Sequence, residues 1–302
     1  MSTPLTNVVL IGGSGTVGKI ILEALLKSPD INVTVISRDT SNATFPSQVT
    51  VHRTDFSHSG LFSAFKGQDV VISAVGATAF TEQKKFIEAA VHAGVKRFIP
   101  SEFSSNTLNE SVRQMLPLFN QKKEVLDYLK SKESVGLTWT GIATALLFDW
   151  GLTSGFLGYD IPNRTATIWD GGDKRFTLVN ERELGQSVVS VLKHPQETAN
   201  KYLYVTSVEV TQNEILRALK EETDSKWKVI HTTSDAQKKE AFKRLSNGDF
   251  SGGLILVRGT SYANDPALHA NYATDEKLSN DLLGLEPESV KQTIKRVLSK
   301  RE

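Results

Sequence analysis

The stretch Asn7-Val8-Val9-Leu10-Ile11-Gly12-Gly13-Ser14-Gly15-Thr16-Val17-Gly18-Lys19 constrains the chain more than any other. Val8 to Ile11 form a short apolar run, the composition of a strand buried on both faces. Glycines follow at 12, 15 and 18, and Val17, Ile20, Ile21, Ala24 and Leu25 then recur with helical spacing. A strand, a glycine-rich turn and a helix, in that order, are what a dinucleotide pyrophosphate requires. Residues without side chains let the phosphates reach the backbone, and the helix N-terminus offers free N–H groups and a partial positive charge. Gly12, Gly13, Ser14, Gly15, Thr16, Val17 and Gly18 are therefore cofactor-binding candidates.

The first half of the chain continues in the same alternation. Strands are expected at Val33–Ile36, Val49–His52, Val70–Ser73, Arg97–Ile99 and Leu137–Ile142, with helices near Gly60–Phe65, Thr81–Ala93 and Pro117–Lys132. Such alternation predicts an α/β fold, a Rossmann-type doubly wound parallel sheet whose ligands bind beyond the carboxyl ends of the strands. After Trp150 the texture changes. Gly151 to Asn163 reads as a loop or mobile cover, and Thr165–Trp169 with Arg175–Val179 reads as a hairpin. Glu181–Lys193 reads as helix, and Tyr202–Val205 as a strand returning to the main sheet. The expected division is a cofactor domain over 1–150, rejoined by about 181–207, and a smaller α+β substrate domain over 151–302.

The strand mouths supply further candidates. NAD-preferring sites place a carboxylate at the end of the second strand, to bond the ribose 2′-hydroxyl. Here that strand ends Val35-Ile36-Ser37-Arg38. A guanidinium can hold a 2′-phosphate through paired, charge-assisted bonds, so Arg38 points to NADP(H). The alternative is a solvated Arg38 with Asp39 on the ribose. Asp55 and Phe56 follow the third strand, where an adenine would lie, and Ala74, Val75 and Gly76 follow the fourth.

On the helix after Pro117, Phe119, Lys122, Leu126 and Leu129 lie at i, i+3, i+7 and i+10, one apolar stripe with a lysine in it. Lys123, Asp127 and Lys130 take the wetter face. A lysine held among apolar groups loses proton affinity and becomes a usable general acid or base. The alternative is a packed stem with its ammonium in water. Tyr128-Leu129-Lys130-Ser131-Lys132 spells Y-x-x-x-K, the pair of ordinary short-chain dehydrogenases. It falls at the tail of the helix, away from the strand mouths, and Tyr128 reads as a helix-face aromatic.

Bulk properties exclude other classes. The chain has no cysteine, which removes disulfides, thiolate metal sites and cysteine nucleophiles. Its histidines form no H-x-x-x-H pair, so no metal site is expected. A net charge of +1 gives no reason to expect nucleic acid or an anionic membrane. No apolar run approaches the ~18 residues of a membrane span, no secretory signal is read, and a cytoplasmic address is expected.

Taken together, Ile11–Gly18, the run Ala93-Gly94-Val95-Lys96-Arg97-Phe98-Ile99-Pro100-Ser101-Glu102-Phe103, and Phe119 through Lys122 to Val125 resemble the isoflavone reductase-like group of atypical short-chain reductases, within the NmrA-like superfamily. That group includes phenylcoumaran benzylic ether and pinoresinol-lariciresinol reductases. The likeness is strong over the first half, and Thr138–Trp150 looks more like fungal members. The resemblance implies an NADPH-dependent reductase of a phenolic or other aromatic secondary metabolite, with its cleft between two domains. It places the active-site lysine at Lys122, the 2′-phosphate arginine at Arg38, and Ser101, Glu102 and Phe103 near the nicotinamide. Ser104-Ser105-Asn106 departs from the plant pattern after P-S-E-F, and no second Lys or Arg appears between Arg38 and Arg53.

The expected chemistry is hydride transfer from NADPH to an electrophilic carbon, with Lys122 supplying or relaying a proton. Phe103, Leu147, Phe148 and Trp150 are candidates for an apolar wall against the aromatic substrate, or else plain core. Two alternatives stay open: a redox sensor that binds the dinucleotide without turnover, and a quinone or carbonyl reductase in which Lys122 only binds ribose. The expected assembly is a monomer or homodimer.

Overall fold

A computed structural model describes residues 5–300. Strands β1 (Asn7–Ile11), β2 (Asn32–Arg38), β3 (Thr50–Thr54), β4 (Val70–Ser73), β5 (Arg97–Ile99) and β6 (Thr138–Ala143), with the later strand Lys201–Tyr204, form a seven-stranded sheet. Its order is β3-β2-β1-β4-β5-β6 followed by Lys201–Tyr204. β1 pairs in parallel with both β2 and β4, and β2–β3, β4–β5 and β5–β6 are parallel too. The strand order reverses between β1 and β4, so the crevice for a ligand opens at their carboxyl ends. Helices α1 (Thr16–Leu26), α2 (His58–Phe65) and α3 (Gln83–His92) link the strands.

The central strands are apolar because both faces are covered. Val8, Val9 and Leu10 of β1 and Val70, Val71 and Ile72 of β4 are fully buried, each contributing about 2 kcal/mol of transfer free energy. Close helix packing continues this at Gly185, where a Cβ would come 2.6 Å from that of Ala24 on α1.

The chain forms two compact units. The first comprises the chain up to Phe103, Leu118–Ala143 and Leu184–Leu203; the second comprises Ser104–Pro117, Thr144–Glu183 and the chain from Tyr204 onward. The crossings are more numerous than one cut near Trp150 with one return. Ser104–Pro117, carrying α4 (Glu110–Met115), belongs to the second unit before α5 (Phe119–Ser131) rejoins the first. The stripe Phe119, Lys122, Val125, Leu126 and Leu129 explains that return, since it is buried in the first unit, where α5 packs on α3 and β6.

Within the second unit, two sequence expectations are corrected. Thr165–Trp169 and Arg175–Val179 do not pair with each other. Thr165–Trp169 lies between Lys228–Thr232 and Tyr159–Asp160, whereas Arg175–Val179 lies between Val208–Thr211 and Leu146–Leu147. The intervening turn is anchored elsewhere: the Asp170 carboxylate accepts the N–H groups of Ser234 at 2.8 Å and Asn264 at 3.1 Å. Asp170, Gly171 and Gly172 in succession take positive φ, which carries the strand off into another sheet. The expected loop at Gly151–Asn163 is partly helix, Phe148–Thr153, followed by the short strand Tyr159–Asp160. Phe148 and Leu152, one turn apart, are both fully buried, and that burial supports the helix. Among the described residues no helix is long and apolar enough to cross a membrane.

Candidate functional site

The turn after β1 closes around missing side chains. Gly12 has φ +84°, and a Cβ there would lie 2.5 Å from the Ala74 carbonyl oxygen of the turn after β4. A Cβ on Gly18, in the first turns of α1, would lie 2.0 Å from the Gly12 carbonyl oxygen. Gly12 therefore makes the bend and Gly18 lets the helix sit on it. Gly15 is the N-cap residue of α1, with no side-chain cap bond and no acidic residue in the first turn. Ser14, Gly15 and Thr16 are exposed at this positive helix end, whose free N–H groups suit an anion. The glycines leave this approach clear for an anionic group, and no acidic residue lies in the first turn of α1.

At the mouth of β2, Arg38 is exposed. The parallel register sets Ser37 opposite Arg53 of β3. The Arg53 guanidinium donates to the carbonyl oxygens of Arg38, Ser41 and Ala43. A second cation thus braces the loop after Arg38, although it stands 15 positions away in sequence. Sequence spacing missed it. The readable signal was the register of neighbouring parallel strands, not a cluster of basic residues.

The other strand mouths interlock. Asp55 is exposed, and its carboxyl is held below the usual range mainly by hydrogen bonds from Ser57. Phe56, at φ +59°, sets its ring 5.7 Å from that of Phe86 on α3. Ala74 is buried, Val75 half-buried and Gly76 exposed. The Ser101 hydroxyl donates to the Val75 carbonyl at 2.7 Å, and the Ser101 N–H donates to Gln83 Oε1 at 2.8 Å. The turns after β4 and β5 are therefore tied together. Arg97, at the other end of β5, serves structure instead. Buried, it donates to Thr138, Thr140 and Thr198 hydroxyls and the Pro195 carbonyl.

Lys122 is 4% exposed. Its Nζ donates to the Glu102 carbonyl oxygen at 2.9 Å and lies 4.8 Å from the ring centroids of both Phe80 and Phe119. The ammonium is not held in water, so the snorkelling arrangement does not occur. Burial pulls its pKa down to about 8, and the charge of Glu102 works against that fall. Lys123, its neighbour, faces outward and pairs with Asp127 at 2.6 Å. Tyr128 and Lys132 of the Y-x-x-x-K decoy both engage Glu88 on α3.

Glu102 is 1% exposed, and its Oε2 accepts the Tyr202 hydroxyl at 2.9 Å. Tyr202 is the second residue the sequence reading missed; it comes from the strand Lys201–Tyr204, at a separation of 100 residues. Phe103 closes the first segment of the first unit, and its side chain is buried. Leu147, Phe148 and Trp150 belong to the second unit. Leu147 and Trp150 are half-buried, Trp150 with its ring 5.5 Å from that of Phe156. Phe148 is fully enclosed and packs as core. Among the described residues no group of His, Cys, Asp or Glu is arranged to hold a metal ion.

The family model of NmrA-like proteins matches residues 5–245. The chain belongs to the NmrA-like family. It is 36% identical over 295 residues to the oxidoreductase aprR of Aspergillus flavus, covering 97% of this chain and 98% of that one. The phenylcoumaran benzylic ether reductase Betv6 of Betula pendula is 27% identical over 66% of this chain and 68% of its own. The solved structure of AtPrR2 with NADP+ and (+)pinoresinol shares the fold, with a TM-score of 0.79 at 20% identity, covering 98% of this chain and 100% of that one. The chain is an isoflavone reductase-like oxidoreductase of the NmrA-like family.

Proposed function

We propose that the chain is an NADPH-dependent reductase of a phenolic or other aromatic metabolite, with Lys122 as its acid–base group. The observation that carries this reading is the buried amine: Lys122 Nζ is bonded to the residue following Ser101, among two aromatic rings, with its pKa brought down to about 8. A lysine in that range can exchange protons near neutral pH, as an ordinary surface lysine cannot.

Gly12 to Gly18 and the start of α1 would hold the pyrophosphate, Arg38 the 2′-phosphate, with Arg53 steadying its loop. Asp55 and Phe56 would flank the adenine end, and Ala74, Val75, Gly76, Ser101, Glu102 and Phe103 the nicotinamide end. Bound there, NADPH would supply a hydride for an electrophilic carbon. The chain's own work is to orient the partners and to move a proton at Lys122 Nζ. Leu147 and Trp150, both half-buried, would offer apolar surface to an aromatic substrate, with the enclosed Phe148 as core of the same unit. The names of the Betula reductase and of the pinoresinol complex support the aromatic class.

The test is to mix the protein with NADPH and a panel of phenolic enones, benzylic ethers and quinones, and to follow the near-ultraviolet absorbance of NADPH. Oxidation with at least one aromatic acceptor is expected. NADPH binding with no turnover across the panel would favour a dinucleotide sensor.

A further inference from the structure

Three residues from separate stretches meet in the first unit: Glu102 just past β5, Lys122 on α5, and Tyr202 on the last strand of the sheet. Glu102 and Lys122 are both buried, and a buried carboxylate is costly unless it is bonded and charge-compensated. Tyr202 answers the first need by donating its hydroxyl to Glu102 Oε2 at 2.9 Å. Its ring has a place prepared for it. On β6, a Cβ at Gly141 would come 2.6 Å from Tyr202 Cδ2. The backbone of Glu102 meets Lys122 directly, its carbonyl oxygen accepting Nζ at 2.9 Å.

We propose that Glu102 and Tyr202 are positioning residues that keep Lys122 in its ammonium form and aimed in one direction, so that Lys122 acts as the proton donor of the reduction. This rests on the reductase reading above and narrows it from acid–base group to acid. The acceptor carbon would gain the hydride that a bound NADPH supplies. The electron pair displaced onto the neighbouring substrate atom takes a proton from Nζ, and the neutral amine regains one from water. Electrons and protons then balance without a further reagent.

The other charges on and around α5 have partners of their own. Lys84 of α3 pairs with Glu124, Lys132 with Glu88 of α3, Lys85 with Glu82, and Lys123 with Asp127. Beyond α5, Glu133 accepts the indole N–H of Trp139 on β6. The charge of Glu102 works to hold the proton on Lys122, against the larger effect of burial.

The test needs no turnover. The intact chain is labelled with carbon-13 at lysine Cε, and the Lys122 resonance, identified by its loss in Lys122→Arg, is titrated with and without NADP+. The wild-type midpoint is expected at about 8. Glu102→Gln should lower it by on the order of one unit, a tenfold loss of proton affinity, as removal of an opposite charge does. Glu102→Asp should recover part of that shift. Tyr202→Phe, which removes one oxygen and keeps the packing, should lower the midpoint by less. A midpoint that stays put in both Glu102→Gln and Tyr202→Phe overturns the proposal. Because the readout is the amine itself, that failure is distinct from a failure of the reductase reading, which a Lys122 variant with full turnover would reveal.

Discussion

The turn from Gly12 to Gly18 takes all its residues from one stretch, and backbone contact sets its shape: an added carbon at Gly18 would sit 2.0 Å from the Gly12 carbonyl. The site around Lys122 takes Glu102, Lys122 and Tyr202 from segments up to 100 residues apart, and burial and charge hold it together. A site built by exclusion tolerates no extra atom and has no titrating group within it. A site built by burial accepts a side chain of equal shape, yet responds to every change of charge. The two also differ in what they would do, one gripping the cofactor and the other moving a proton.

Gly18→Val tests the first half of that contrast and carries the largest expected effect. Its branched side chain would force α1 away from the turn, and calorimetry should find no measurable NADPH binding to a chain that still folds. Normal affinity in this variant would break the contrast outright.

Lys122→Met tests the second half. The folded pKa of about 8 lies below the 10.5 of a free lysine, so the unfolded chain binds the proton more tightly. The charged amine therefore opposes folding below about pH 8, and the penalty fades as pH rises toward 10.5. Urea unfolding should find Lys122→Met more stable than wild type by about 3 kcal/mol at pH 7, with the gap closing across that window. A constant gap, or a less stable variant at neutral pH, would mean that burial does not govern this amine.

Arg38→Ala should weaken NADPH binding about 30-fold, roughly 2 kcal/mol for a charged hydrogen bond, and leave NADH binding alone. Arg53→Ala, which loosens the loop and leaves Arg38 in place, should cost about 1 kcal/mol, or about fivefold. Equal losses for NADPH and NADH would detach both arginines from the 2′-phosphate.

The same contrast explains what the sequence allowed to be read. The glycine turn was legible because strand, turn and helix are contiguous and each glycine answers to a local steric demand. Lys122 was legible because its place in an apolar stripe is a periodic property of one helix. Arg53 was not, since only the pairing of β2 with β3 brings it beside Ser37. Tyr202 was not, since neither its reach to Glu102 nor the space left by Gly141 exists before the sheet closes. Thr165–Trp169 and Arg175–Val179 suggested a hairpin by proximity and turn composition. The carboxylate of Asp170, bonded to backbone more than sixty positions away, redirected the chain. Long-range side-chain bonds of that kind leave no local trace.

The most direct test of the account sets Lys122→Ala beside wild type, measuring NADPH affinity and kcat on an acceptor that wild type reduces. Affinity should stay near wild type while kcat falls by about 10²- to 10⁴-fold, the usual worth of a positioned acid–base group. Unchanged kcat at saturating NADPH, with affinity lost instead, would make Lys122 a cofactor ligand and contradict its role as the proton donor.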